Sequence, residues 1–247
     1  MKKNKINEKK VEEKKIDVKE KSENIKEPIL DMSKRKKQNK QVIIAVFLMI
    51  FVIVIVFLVP YVIQNYFNKF TYINLDFTKQ KYGNVIFYNT LIPMINNTGD
   101  IIKDYGLDFR SDPRKLEYIP VSIPPGELKV LRGPETYISV ANVEKCEDNV
   151  IAVVNFARFL GGFAQLNVKG ASSDEKDAKE NNQTYVTCKN HINNTVIIIK
   201  SGSETRIDKT DKNCYELTYA NCEIIPVTEK FDLVILESYM DNFERKK

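Results

Sequence analysis

The side chains with reactive chemistry are four cysteines, Cys146, Cys188, Cys214 and Cys222, and a single histidine, His191. All lie in the C-terminal two thirds of the chain. Four cysteines allow three pairings, and the spacing leaves all three open. The expected arrangement joins Cys214 to Cys222, because the seven residues between them can fold as a hairpin, and Cys146 to Cys188. A metal site is the competing chemistry: Cys188 and His191 form C-x-x-H, and Cys214 and Cys222 could complete four tetrahedral ligands. The second spacing is too wide for a zinc knuckle, and Cys146 would be left over, so disulfides are expected and metal is not. His191 as a base beside Cys188 is weaker again, since a loop histidine between Asn190 and Ile192 is ordinarily solvated.

Other groupings carry less specific chemistry. Asn96, Asn182 and Asn193 each open an N-x-T sequon and are candidate glycan acceptors. The stretch Asp108–Arg114, DFRSDPR, could clamp an acidic ligand through Arg110 and Arg114, but an ion-paired turn leaving a strand is the favoured reading. Asp174, Glu175, Asp177 and Glu180 read as a solvated helix face, because no apolar residues flank them to raise a pKa. No G-x-S-x-G, P-loop or dinucleotide glycine fingerprint is present. No catalytic residue, cofactor or metal is therefore expected.

Charge is divided sharply along the chain. Residues 1–41 hold 15 of the 38 Lys and Arg and 8 of the 33 Asp and Glu; the remainder holds 23 basic against 25 acidic residues. The basic character belongs to the first segment, and the folded part has no excess positive charge to neutralise phosphates, which excludes nucleic acid as an expected partner. From Val42 to Ile63 run 22 uncharged residues, enough at about 1.5 Å per residue to cover the roughly 30 Å hydrocarbon core. A cleaved signal peptide fits poorly, because the lead is 41 residues long and the exit, YVIQNYF, lacks a small-residue cleavage site. Lys34, Arg35, Lys36, Lys37 and Lys40 flank the span on its N-terminal side and are candidate lipid contacts; only Lys69 and Lys79 occur in the 17 residues after it. The positive-inside bias then places residues 1–41 in the cytoplasm as a disordered tail and residues 64–247 outside, where an oxidising compartment suits the cysteines.

The elements that must position these residues are short β-rich runs punctuated by proline and glycine: 71–77, 84–89, 107–110, 116–121, 128–131 and 136–141. Val150, Val153, Val154, Ala157 and Leu160 then recur at helical spacing, with Gly161 and Gly162 as the expected stop. A strand near 164–169, a polar helix near 173–181 capped by Ser172 or Ser173, strands at 184–188, 195–200, 206–208 and 214–219, and a helix after Pro226 complete the pattern. Alternating strands and helices predict a mixed α/β domain with two or three helices.

The order FRSDPR, an IPV strand, Cys146 before an apolar helix ending FLGG, then YVTC, NNTVIII, NCYEL and NCEIIPVTEKF resembles a group of uncharacterised archaeal proteins with one N-terminal membrane helix, over residues 70–240 or so. That resemblance implies the same topology and paired cysteines; it brings no activity, cofactor or site residue. The expected role is a membrane-anchored module at the cell surface, with the lipid bilayer and another envelope protein as partners and the oligomeric state open. An envelope hydrolase with a site formed only in the fold, or a single-pass sensor, are the alternatives.

Overall fold

The computed structural model describes residues 28–96, 100–124, 128, 135–140 and 143–244, with the side chains of 28–38, 64 and 65 excepted. Those up to Ile63 form one compact unit and those from Gln64 a second. The first is helix α1, Pro28–Val62. Its stretch Asn39–Val62 is long and apolar enough to cross a membrane, and none of it is buried against protein. Proline opens α1, at a position where its missing N–H has no helical partner to lose. Disorder, expected to residue 41, therefore gives way to helix from Pro28; the rest of that expectation falls outside the described residues. A π-turn, Ile63–Phe67, follows.

The second unit opens with an antiparallel meander, β1 (Lys69–Tyr72), β2 (Leu75–Tyr82), β3 (Val85–Ile95) and β4 (Ile101–Phe109), joined in that order. The run 71–77, expected as one strand, is broken by a two-residue turn in which Ile73 and Asn74 both take positive φ, 46° and 58°. Such a turn matches the twist of a hairpin. Gly83, at φ 59°, supplies the next one.

A 3-10 helix, Pro113–Tyr118, replaces the first half of the strand expected at 116–121: the Asp112 side chain accepts from the Arg114 N–H and Pro113 starts the turn. The strand survives only as β5 (Val121–Ser122). Of the run 128–131 only Leu128 is described, packed against the core. There follow β6 (Glu135–Val140), α2 (Asn149–Gly162), β7 (Asn167–Ser172), α3 (Glu175–Glu180), β8 (Thr184–Tyr185), β9 (Thr195–Ser201), β10 (Arg206–Asp211), β11 (Cys214–Tyr219) and α4 (Ile224–Glu244). The cap of α3 is Asp174, whose carboxylate accepts from the Asp177 N–H at 2.9 Å, rather than Ser172 or Ser173. Helix α2 runs through both glycines. At Gly162 a Cβ would lie 2.8 Å from the Tyr105 hydroxyl of β4, so a larger residue there would displace the Tyr105 ring.

The unit is mixed α/β. Its second sheet has seven strands in the order β5-β10-β11-β9-β6-β7-β8, parallel except between β10 and β11. One core joins both sheets through α2 and α4. Phe231 of α4 meets Phe156 of α2 and Tyr215 of β11, while Tyr239 of α4 donates its hydroxyl to the Pro93 carbonyl and accepts from the Ile95 N–H of β3. Each large apolar side chain so buried contributes about 1.5 to 3 kcal/mol.

Two disulfides close the unit, Cys146–Cys222 and Cys188–Cys214, and the expected pairing is overturned. Cys214 begins β11 and Cys222 follows its end; a six-residue strand rising about 3.3 Å per residue holds them roughly 20 Å apart, far beyond the 5.6 Å Cα separation of the bridge formed. Cys222 instead ties the β11–α4 connection to the β6–α2 connection at one end of the sheet. Cys214 ties the opposite end to the segment after β8. Non-reducing peptide mapping is expected to recover 146 with 222 and 188 with 214. Replacing Cys146 and Cys222 together by serine is expected to lower unfolding stability in denaturant by about 4 kcal/mol, the chain entropy released from a loop of this size.

Candidate functional site

The turn after β4 is where the sequence concentrated charge, and the fold uses it internally. The Arg110 guanidinium lies 2.7 Å from the Asp148 carboxylate, just before α2. Arg114 makes two bonds to Asp112 and stacks 3.8 Å above the ring of Phe70. Arg114 holds the Asp112 carboxyl below the ordinary carboxylate range, chiefly by that side-chain hydrogen bond. Both arginines are thus engaged within the unit, as an ion-paired turn requires.

The same turn is clamped from below by a residue the sequence reading missed. Glu229 of α4 accepts the backbone N–H of Arg110 at 2.5 Å and of Ser111 at 2.9 Å, one on each carboxylate oxygen. Burial pushes its pKa up to about 7, despite the hydrogen bonds from Ser111 and Arg110 that favour the charged form. One turn along, Asp232 is buried and its Oδ1 has no hydrogen-bond partner; burial, then the nearby charge of Glu229, holds its carboxyl well above the ordinary range. The signal was present: Asp232 has Thr228, Ile235 and Leu236 three or four residues away, the apolar face of the helix.

Neither carboxyl lines the larger cavities. A cavity of about 570 Å³ runs along the other side of α4 between Val121, Ile123, Val234, Glu237 and Asp241. A smaller one, of about 330 Å³, shares its Leu128, Ser238 and Asn242 and continues to Phe163 and Tyr239.

The remaining candidates are dispersed. The sulfurs of all four cysteines are bonded to one another, so Cys188-x-x-His191 offers no thiolate, and the approach of Glu144 to Cys146 and Cys222 likewise brings no thiolate to a metal. His191 packs on the ring of Tyr137, centroids 4.9 Å apart, whose hydroxyl donates to Glu135. Asp174 caps α3, while Glu175 and Glu180 pair with Lys179 and Lys176 on its exposed surface. Of the candidate lipid contacts, Lys40 is exposed on α1; the side chains of Lys34, Arg35, Lys36 and Lys37 fall outside the described residues.

One surface has the form of a docking site. Strand β4 ends the meander, and among the described residues no strand pairs with its far side. The other three sheet ends are β1, with four residues, and β5 and β8, with two each; β4 has nine. Beside this long edge, Ile101, Ile102 and Leu91 are 58%, 64% and 60% exposed. Leu91 lies opposite Gly106, Pro93 opposite Asp104 and Asn89 opposite Asp108, so Asp104 and Asp108 share the outer face with Leu91. The sequence reading confined this strand to 107–110, because Lys103, Asp104 and Gly106 interrupt the apolar pattern.

Comparison with family models, with curated proteins and with solved structures finds no match.

The buried carboxyls set the pH response. Folding raises the pKa of Glu229, so the folded state holds a proton that the unfolded chain releases first. Stability is therefore full at pH below about 4.5, falls as pH rises through about 7, and loses about 3 kcal/mol from this residue; Asp232 acts in the same direction. Denaturant midpoints at pH 5 and pH 8 are expected to show greater stability at pH 5, with a smaller difference in Glu229→Gln. Glu229→Ala, which strands two amide donors, is expected to cost about 2 to 4 kcal/mol at pH 5.

Proposed function

We propose that this chain is a membrane-anchored extracytoplasmic module that holds a partner protein by adding the partner's extended segment to β4. The anchor is α1, and the basic residues Lys34, Arg35, Lys36, Lys37 and Lys40 before its apolar stretch orient it with the N-terminal segment in the cytoplasm. Two disulfides in the second unit support an oxidising compartment on the far side.

The observation that carries the binding role is the nine-residue edge of β4, unpaired among the described residues and exposed from Ile101 to Asp104. An unpaired edge presents main-chain donors and acceptors that only another extended backbone can satisfy in series, so its occupant is a strand rather than a small molecule. Its side chains specify that strand further: apolar residues to cover Ile101 and Ile102, and basic residues four apart to face Asp104 and Asp108 on the outer side.

A photo-crosslinking residue at Ile102, in full-length protein in its native membrane, is expected to capture one partner reproducibly. The double substitution Ile102→Lys with Asp104→Lys, both exposed, is expected to abolish capture by a label at Leu91 while leaving the denaturation midpoint unchanged. Capture that persists in the double variant, or a label at Ile102 that captures nothing, would refute the β4 reading. Protease shaving of intact cells tests the orientation separately and is expected to degrade the second unit.

A further inference from the structure

The three sequons differ in what the fold leaves accessible. Transfer of a glycan needs the asparagine amide and the threonine hydroxyl two residues on to be reached together by the transferring enzyme. Asn193 is exposed, but its Thr195 is wholly buried at the start of β9, a central strand between β6 and β11, beside the Cys188–Cys214 bridge. Asn96 accepts the Asp100 N–H at 2.9 Å and its amide donates back to the Asp100 carboxylate, while its Thr98 lies outside the described residues. Asn182, Gln183 and Thr184 are all exposed. Asn182 sits at φ 50°, turning the chain outward after α3, and Thr184 begins β8, the two-residue edge of the large sheet.

We propose that Asn182 is an N-glycan acceptor and that Asn193 is not. The donor is a saccharide linked through phosphate to a membrane lipid. The Asn182 amide nitrogen bonds to the anomeric carbon of the sugar, and the bond from that carbon to the phosphate oxygen breaks. The lipid phosphate leaves with the electron pair, and the amide gives up one proton. A glycan here covers the β8 edge of the large sheet and leaves β4 clear at the end of the meander. The inference rests on the outward placement of the second unit proposed above.

Trypsin separates the two sites, since residues 180–189 carry Asn182 and residues 190–200 carry Asn193. Protein purified from its native membrane, reduced, alkylated and digested, is expected to show a saccharide mass increment on the first peptide and none on the second. Thr184→Ala, which removes the sequon without touching the positive-φ residue, is expected to abolish the increment; Asn193→Gln is expected to leave it. An unmodified first peptide from cells whose second unit is open to protease overturns the glycan alone. A second unit shielded from protease overturns the orientation and the glycan with it. Sugar found on the second peptide overturns the choice of site.

Discussion

Helix α4 is buried over most of its surface, with Glu237, Asp241 and Asn242 exposed, because it is the element on which both sheets close. Phe231 reaches the large sheet at Tyr215 and Tyr239 reaches the meander at Pro93 and Ile95, from positions about two turns apart. A helix in that position leaves few places to put polar groups. Thr228 returns its hydroxyl to the helix carbonyls of Ile224 and Ile225. Glu229 takes two amides from the turn after β4. Asp232 leaves an oxygen without a partner, and in so apolar a setting the neutral acid is the favoured form.

The disulfides work on the same packing from its periphery. Their partners are set by where strands begin and end. β11 keeps Cys214 and Cys222 at opposite ends of the sheet, so each must find a cysteine brought there by another connection. The Cys146–Cys222 bridge holds the entry to α4 beside the entry to α2, which keeps Phe156 and Phe231 in register.

Surface chemistry follows from what this core leaves outside. Among the described residues three of the four sheet ends are two to four residues long, whereas β4 has nine and begins with two exposed isoleucines. The charged groups that first drew notice, Arg110 and Arg114, are drawn into the fold by Asp148, Asp112 and Phe70. The cavities along α4 and the buried carboxyls occupy different places, so perturbed acidity here belongs to the core rather than to a cleft.

The sequence by itself determined the features that depend on local composition: a helix of membrane-crossing length, cysteines confined to the segment after it, an α/β alternation, and the amphipathic pattern of α2 and α4. It also contained the signal of Asp232, an acid on an apolar helical face, though not its consequence. Only the tertiary structure decided which cysteines pair, that 71–77 is broken by a hairpin turn at Ile73 and Asn74 and that 113–118 is a 3-10 helix, that β4 is an edge nine residues long among the described residues, and which sequon keeps its threonine exposed. The division has one physical cause. Periodicity and charge are properties of neighbours along the chain, whereas bond partners, edges and burial depend on strand order and register, which bring together residues as far apart as Cys146 and Cys222 or Arg110 and Glu229.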